Sequence, residues 1–263
     1  MRLVRFAFIL LGICITSPVF AKMVAKPVDW QLDGTTFESV LVYDDAVTAK
    51  RPGLVMVPNW YGINDTAVAK AKMIAGKDYV ILLTDMYGHG VRPKNDSEAK
   101  TAVAPLYHDR GLMRARISKA FEQLKAEAGQ APIDSSRLAA IGFCFGGAVV
   151  LDLARTGADA KAVIAFHGDL STDDPTLTTK IKARVLAMNG SDDTLTMPQA
   201  PEFTKDMQQD PSDWQFVEIG HVVHCFTETE ATAKTGVCRY DAKAAARSYR
   251  MMHDWLAESF ASR

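Results

Sequence analysis

The sequence is poor in cysteine, with four in 263 residues, and no Cys-x-x-Cys pair occurs among them. That absence argues against a dithiol redox protein. It also lacks a surplus of charge of either sign. Thirty Lys and Arg stand against 31 Asp and Glu, a net charge of −1, so neither nucleic acid nor an anionic membrane surface is expected as a partner. Internal repeats, low-complexity segments and linkers are missing; the N-terminal apolar run is too short to favour a membrane span, and no other stretch is apolar enough for one. No paired-histidine metal spacing and no phosphate-cradling glycine loop is present, so no metal and no organic cofactor is expected.

What is present begins with MRLVRFAFILLGICITSPVFA, residues 1–21. Two arginines precede an apolar run, which breaks at Pro18 and ends on the small Ala21. The segment reads as a secretory signal peptide, with an exported, periplasmic or secreted domain over residues 22–263. A lipoprotein anchor through Cys14 is the weaker reading, because the bulky Ile13 precedes it. In an oxidising compartment the remaining Cys144, Cys225 and Cys238 form an odd set. Cys225 and Cys238 flank a short polar segment and are the expected disulfide, leaving Cys144 free. The alternative is three reduced cysteines packed as small hydrophobes.

The chain alternates strand and helix patterns. Apolar runs at 37–43, 53–57, 79–83, 138–142, 162–166, 185–189 and 215–219 read as strands, several of them buried on both faces. Helical patterns cover 66–75, 112–128, 148–154, 201–208 and 242–260. This is the signature of an α/β fold, a mostly parallel central sheet with helices on both faces.

Within that pattern, residues 141–148 read IGFCFGGA. A strand precedes Cys144 and a helix follows it, the context of a nucleophile elbow. Gly142 and Gly146 remove side chains that would collide in so sharp a turn. The helix N-terminus favours a thiolate, and the Phe145 amide is placed to receive an oxyanion. A thiol nucleophile needs a base, and the base needs an orienting group. The last two strands end in GSDD and HVVHCF, which offer Asp193 with Asp192 as alternative, and His221 or His224. The order nucleophile, acid, histidine at the ends of three of the last four strands is that of the elbow hydrolases. His167 ends a strand with no vacancy in that triad.

GFCFGGA, NGSDD, VHCF, PNWYGIN and DMYGHGVRP together resemble the dienelactone hydrolase family of α/β-hydrolases, over nearly the whole chain after about Lys26. The resemblance implies the α/β-hydrolase fold and a triad of Cys144, Asp193 and His224. His224 is favoured because Phe226 follows it at the family's spacing. It also implies a second oxyanion amide at Trp60, in the loop PNWYG. Two positions depart from the family pattern. Asn59 stands near the thiol where the best-known members carry glutamate, and Thr227 and Glu228 follow the histidine motif where those members carry a carboxylate-binding arginine.

The expected function is therefore hydrolysis of a small-molecule ester or lactone through a thioester acyl-enzyme, by a monomer or homodimer. Tyr61, Arg92, Arg110 and Arg114 are candidate substrate-binding residues, the arginines as anion binders in place of the missing one. A catalytically silent binding protein or a thiol-redox protein on the same scaffold is the alternative.

Overall fold

The computed structural model describes residues 23–261; the expected signal peptide and Cys14 lie outside them. Eight strands form one sheet: β1 (Met23–Leu32), β2 (Thr35–Asp44), β3 (Arg51–Val57), β4 (Val80–Leu83), β5 (Ile133–Phe143), β6 (Ala162–Phe166), β7 (Arg184–Gly190) and β8 (Trp214–Ile219), in the order β1-β2-β4-β3-β5-β6-β7-β8. The pairs β1–β2 and β2–β4 are antiparallel, and every pairing from β4 through β3 to β8 is parallel. Among the described residues six α-helices cover it: α1 (Asp65–Ala75), α2 (Asp96–His108), α3 (Arg110–Ala126), α4 (Phe145–Arg155), α5 (Ala200–Met207) and α6 (Ala242–Ala261).

The continuous apolar runs are the inner strands, because each must fill two cores. In β3, Val55 and Val57 pack with α2, α3 and α4, whereas Leu54 and Met56 pack on the opposite face with α1 and α6. The two-residue side-chain period sends alternate residues to the two faces. The central sheet is thus fixed in register by apolar contact on both sides.

Two elements carry little signal in the sequence. β1 is partly exposed and contains Pro27, which an edge strand tolerates because one side of it needs no ladder donor. Its signal is the turn Asp33-Gly34, with φ of 48° and 76°, a pair suited to a tight hairpin. Helix α2 is polar and carries Pro105 near its C-terminal end, so it has little apolar periodicity. Its start is marked by Asn95, whose side chain accepts from Glu98 N at 3.0 Å.

Candidate active site

β5 ends at Phe143 and α4 begins at Phe145, leaving Cys144 alone in the turn with φ 54° and ψ −118°. Non-glycine residues rarely hold such a conformation, which has to be imposed by the surroundings. The flanking glycines are what permit it. A Cβ on Gly142 would lie 2.0 Å from Gly146 O, and one on Gly146 would lie 2.2 Å from Val57 O and 2.6 Å from Pro58 O. The second close approach also seats the loop after β3, which carries Asn59 and Trp60, against the start of α4. Phe145 is the first helical residue, so its amide has no partner within the helix.

The acid and the histidine arrive from the ends of β7 and β8. His224 Nε2 lies 3.2 Å from Cys144 Sγ, and His224 Nδ1 lies 2.7 Å from Asp193 Oδ2. Asp193 is fully buried, and it also accepts from Thr196 Oγ1 at 2.7 Å and Leu195 N at 2.9 Å. Asp192 and His221 are exposed. Of each pair of alternatives, the hydrogen-bonded line therefore runs through Asp193 and His224.

Burial by itself pushes the Cys144 thiol up, but hydrogen bonds and charge from His167 and His224 outweigh it and bring the pKa down to about 6. Burial likewise opposes the His224 imidazolium, yet Asp193 and the Cys144 sulfur raise its pKa to about 10. The Asp193 carboxyl is lowered because His224 outweighs the cost of burying it. The three shifts together describe a thiolate beside an imidazolium.

The loop from His224 onward is pinned by a disulfide between Cys225 and Cys238, while Cys144 is free. Arg239 N donates to His224 O at 3.0 Å in the same place. Cys225 has φ 65°, so the histidine is delivered by a chain segment held in an unusual conformation. Beyond it, Glu228 is buried. Its Oε1 takes Lys70 Nζ at 2.6 Å and its Oε2 takes Asn59 Nδ2 at 2.6 Å. Burial opposes the Glu228 anion, but Lys70 and His167 overcome it and hold the carboxyl far below its ordinary range. Asn59 thus binds a carboxylate instead of carrying one.

Three tyrosines lie within electrostatic reach of the sulfur. Tyr61, Tyr87 and Tyr107 all feel the Cys144 charge, and all three phenols are pushed up. For Tyr61, at about 12, the hydrogen bond to Asp96 is the main cause, and for Tyr87 and Tyr107 it is burial. Tyr87 donates to Trp60 O at 2.8 Å and its ring stacks on Phe145 at 5.7 Å.

The arginines expected as anion binders are engaged elsewhere. Arg110 makes a fork with Asp152 at 2.8 and 2.9 Å and also reaches Ser171 O. Arg114 is forked onto Asp173 at 2.7 and 3.1 Å. Arg92 donates to Glu38 O and Val91 O, each at 3.0 Å. Sequence spacing placed these groups on suitable elements; what it could not show is that acidic and carbonyl partners from other elements hold them. Among the described residues, one group of metal-ligating side chains converges, Asp29, Glu38 and His89. It lies at the β1–β2 edge, where His89 Nδ1 already meets Glu38 Oε2 at 2.9 Å.

An elbow thiol at the end of one parallel strand, with a carboxylate and a histidine from two later strand ends, is the architecture of an α/β-hydrolase. The sequence profile of the dienelactone hydrolase family matches residues 37–260, and the chain belongs to that family. The structure of P91, a dienelactone hydrolase-like promiscuous phosphotriesterase from metagenomic libraries, is 34% identical with a TM-score of 0.84, over 92% of this chain and 100% of that one. A protein of Bradyrhizobium sp named a probable 2-oxo-3-(5-oxofuran-2-ylidene)propanoate lactonase is 28% identical, over 76% of this chain and 84% of its own. A dienelactone hydrolase from Anabaena variabilis, at 18% identity and a TM-score of 0.66, shares the fold over 90% of this chain and 98% of its own.

Proposed function

We propose that this hydrolase cleaves a small, uncharged ester or lactone through a thioester on Cys144. The observation that carries the reading is the line of 3.2 and 2.7 Å contacts from Cys144 Sγ through His224 to Asp193. The thiolate attacks the carbonyl carbon, and the developing oxyanion is received by the Phe145 and Trp60 amides. The His224 imidazolium then gives its proton to the departing alcohol. Neutral again, it draws a proton from water, which attacks the thioester and releases the acid and the thiolate. Asp193 fixes the imidazole tautomer and stabilises its charged form.

Preference for an uncharged substrate rests on what surrounds the thiol. Arg92, Arg110 and Arg114 are taken by protein partners, and the acidic Glu228 stands where the family's best-known members carry an arginine. A carboxylate-bearing lactone would meet no guanidinium held ready for it there. The Tyr61, Tyr87 and Tyr107 rings suit an apolar or aromatic acyl or alcohol group. Export to an oxidising compartment is part of the same proposal, supported by the N-terminal segment and by the Cys225–Cys238 disulfide.

The test is hydrolysis of p-nitrophenyl acetate and of a dienelactone by protein lacking residues 1–21, with intact-mass detection of adducts. The expected result is turnover, faster on the neutral ester, with an acetyl adduct on Cys144. Turnover that survives Cys144→Ala would overturn the reading.

A further inference from the structure

The loop that carries the Trp60 amide is fastened to the loop that carries His224 by the side chain of Asn59, the residue before Trp60. The two ends of its carboxamide meet opposite partners. Oδ1 accepts from Tyr61 N at 3.0 Å, closing a turn within its own loop, while Nδ2 donates to Glu228 Oε2 at 2.6 Å, 169 residues away. Nδ2 also meets the exposed Glu230 Oε1 at 3.4 Å. An amide carries an acceptor and a donor on one planar end, whereas a carboxylate here would accept twice and face Glu228 with like charge.

The backbone of Asn59 sets the direction of the Trp60 amide. Asn59 O accepts from Gly62 N at 2.9 Å. The carbonyl and N–H of a trans peptide point opposite ways, so the Trp60 N–H is turned away from Gly62. On the far side of Trp60, its carbonyl accepts from the Tyr87 hydroxyl at 2.8 Å. The close approach of Gly146 to Val57 O and Pro58 O brings the same loop against the start of α4, where the Phe145 amide stands.

Glu228 is a firm anchor for this loop. It is buried, and its backbone N donates to Cys225 O at 2.8 Å. Lys70 Nζ holds Oε1 at 2.6 Å, and Thr227 Oγ1 donates to the same oxygen at 3.1 Å. Oε2 is left for Asn59. Lys70 comes from α1 and is itself buried, with Nζ 4.3 Å from the centre of the Phe143 ring. Both partners of the ion pair are thus withdrawn from water, next to the strand end that delivers Cys144.

We propose that Glu228 and Asn59 are positioning residues for the oxyanion site. Their hydrogen bond holds the Trp60 amide and the His224 loop on one frame around Cys144. An oxyanion donor acts only if it already stands where the carbonyl oxygen moves as the carbon becomes tetrahedral. Neither residue gives or takes a proton in the reaction. The inference rests on the proposed acyl transfer at Cys144.

The test breaks the tie and then rebuilds it with its polarity exchanged. Asn59→Asp keeps the acceptor for Tyr61 N and the Lys70–Glu228 pair, but sets carboxylate against carboxylate. With p-nitrophenyl acetate, kcat and kcat/KM should fall together by about tenfold, the pattern of an interaction made in the transition state. Glu228→Gln should give the same loss, because Lys70 claims the one amide oxygen and the amide nitrogen then faces Asn59 Nδ2. In the double variant Asn59→Asp/Glu228→Gln the new amide can accept from Lys70 and donate to the new carboxylate, and kcat should return to within about threefold of the parent. Cys144 alkylation by iodoacetamide needs the thiolate but develops no oxyanion, so its plateau rate at high pH should stay within about twofold in every variant.

A folded Asn59→Asp protein with the parent kcat would overturn the proposal. So would a folded double variant no faster than Asn59→Asp, or a plateau alkylation rate that falls in step with kcat. Should the variants at Glu228 fail to fold, Asn59→Asp with its alkylation rate decides. Parent turnover that survives Cys144→Ala would sink the hydrolase reading, whereas turnover lost in Cys144→Ala and kept in Asn59→Asp would sink this inference alone.

Discussion

Two clusters of charge are buried in this protein, one behind α4 and one at its N-terminus. Behind the helix, Asp152 is fully buried and collects Arg110 at 2.8 Å, Arg155 at 3.2 Å and Arg114 at 3.6 Å. Arg155 is itself buried and reaches Leu170 O and Ser171 O. Guanidinium does not give up its proton in a protein, so this cluster can hold elements together but cannot move a proton. At the other end of the helix, the groups are a thiol, two imidazoles and carboxylates, and there the Cys144 thiol is lowered while the His224 imidazolium is raised. One cluster is closed by charges that never change, and the other is built from groups that exchange protons. Burial alone therefore does not mark a reactive site; the chemistry of the partners does.

The comparison can be broken most severely at the nucleophile. Cys144→Ala and His224→Ala should each reduce ester turnover by at least about a thousandfold with little loss of stability, and the double variant should be hardly worse, since the residues act as a unit. Steady-state kinetics with a thermal melt on each variant checks this. Asp152→Asn should do the reverse. Leaving buried guanidinium groups without their anion should cost about 3–5 kcal/mol of stability, with kcat per folded molecule nearly unchanged. Chemical denaturation would show it, and a normal melt with lost activity would reverse the assignment of the two clusters.

Between these extremes lies the Cys225–Cys238 disulfide. Reduction should destabilise the protein by about 3 kcal/mol through the freed loop and lower kcat severalfold by loosening His224; activity assays and melts with and without dithiothreitol test both. The pH dependence sharpens the picture further. Because the thiol is lowered to about 6, its alkylation rate should rise through pH 6 and level off by about pH 7, where an ordinary cysteine would still be mostly protonated. A midpoint near 9 would mean that the two imidazoles do not act on the sulfur. The smallest effect belongs to Arg92→Gln, which should leave the rate ratio of neutral to anionic ester within about twofold, because that guanidinium is already spent on Glu38 O and Val91 O.

Much of this was legible beforehand, for a physical reason in each case. The inner strands were visible because two-sided burial demands unbroken apolar runs. The turn around Cys144 was visible because steric exclusion at Gly142 and Gly146 leaves a sequence trace. β1 and α2 were not, since an edge strand and a polar helix make fewer demands on composition. At the site, Asp193 and His224 stood in the right order at strand ends. His167 does not stand out in the sequence because its partners, Thr227 and Glu228, are some sixty residues away.

The sequence alone determined the layered α/β architecture, the elbow cysteine and the candidates for its acid and base, because backbone sterics, burial and residue chemistry act locally and recur with fixed spacing. Only the tertiary structure decided which arginines are spent on Asp152 and Asp173, that Asn59 serves a carboxylate, and that a second imidazole stands beside the sulfur. Those outcomes depend on which distant groups the sheet order brings within hydrogen-bonding distance.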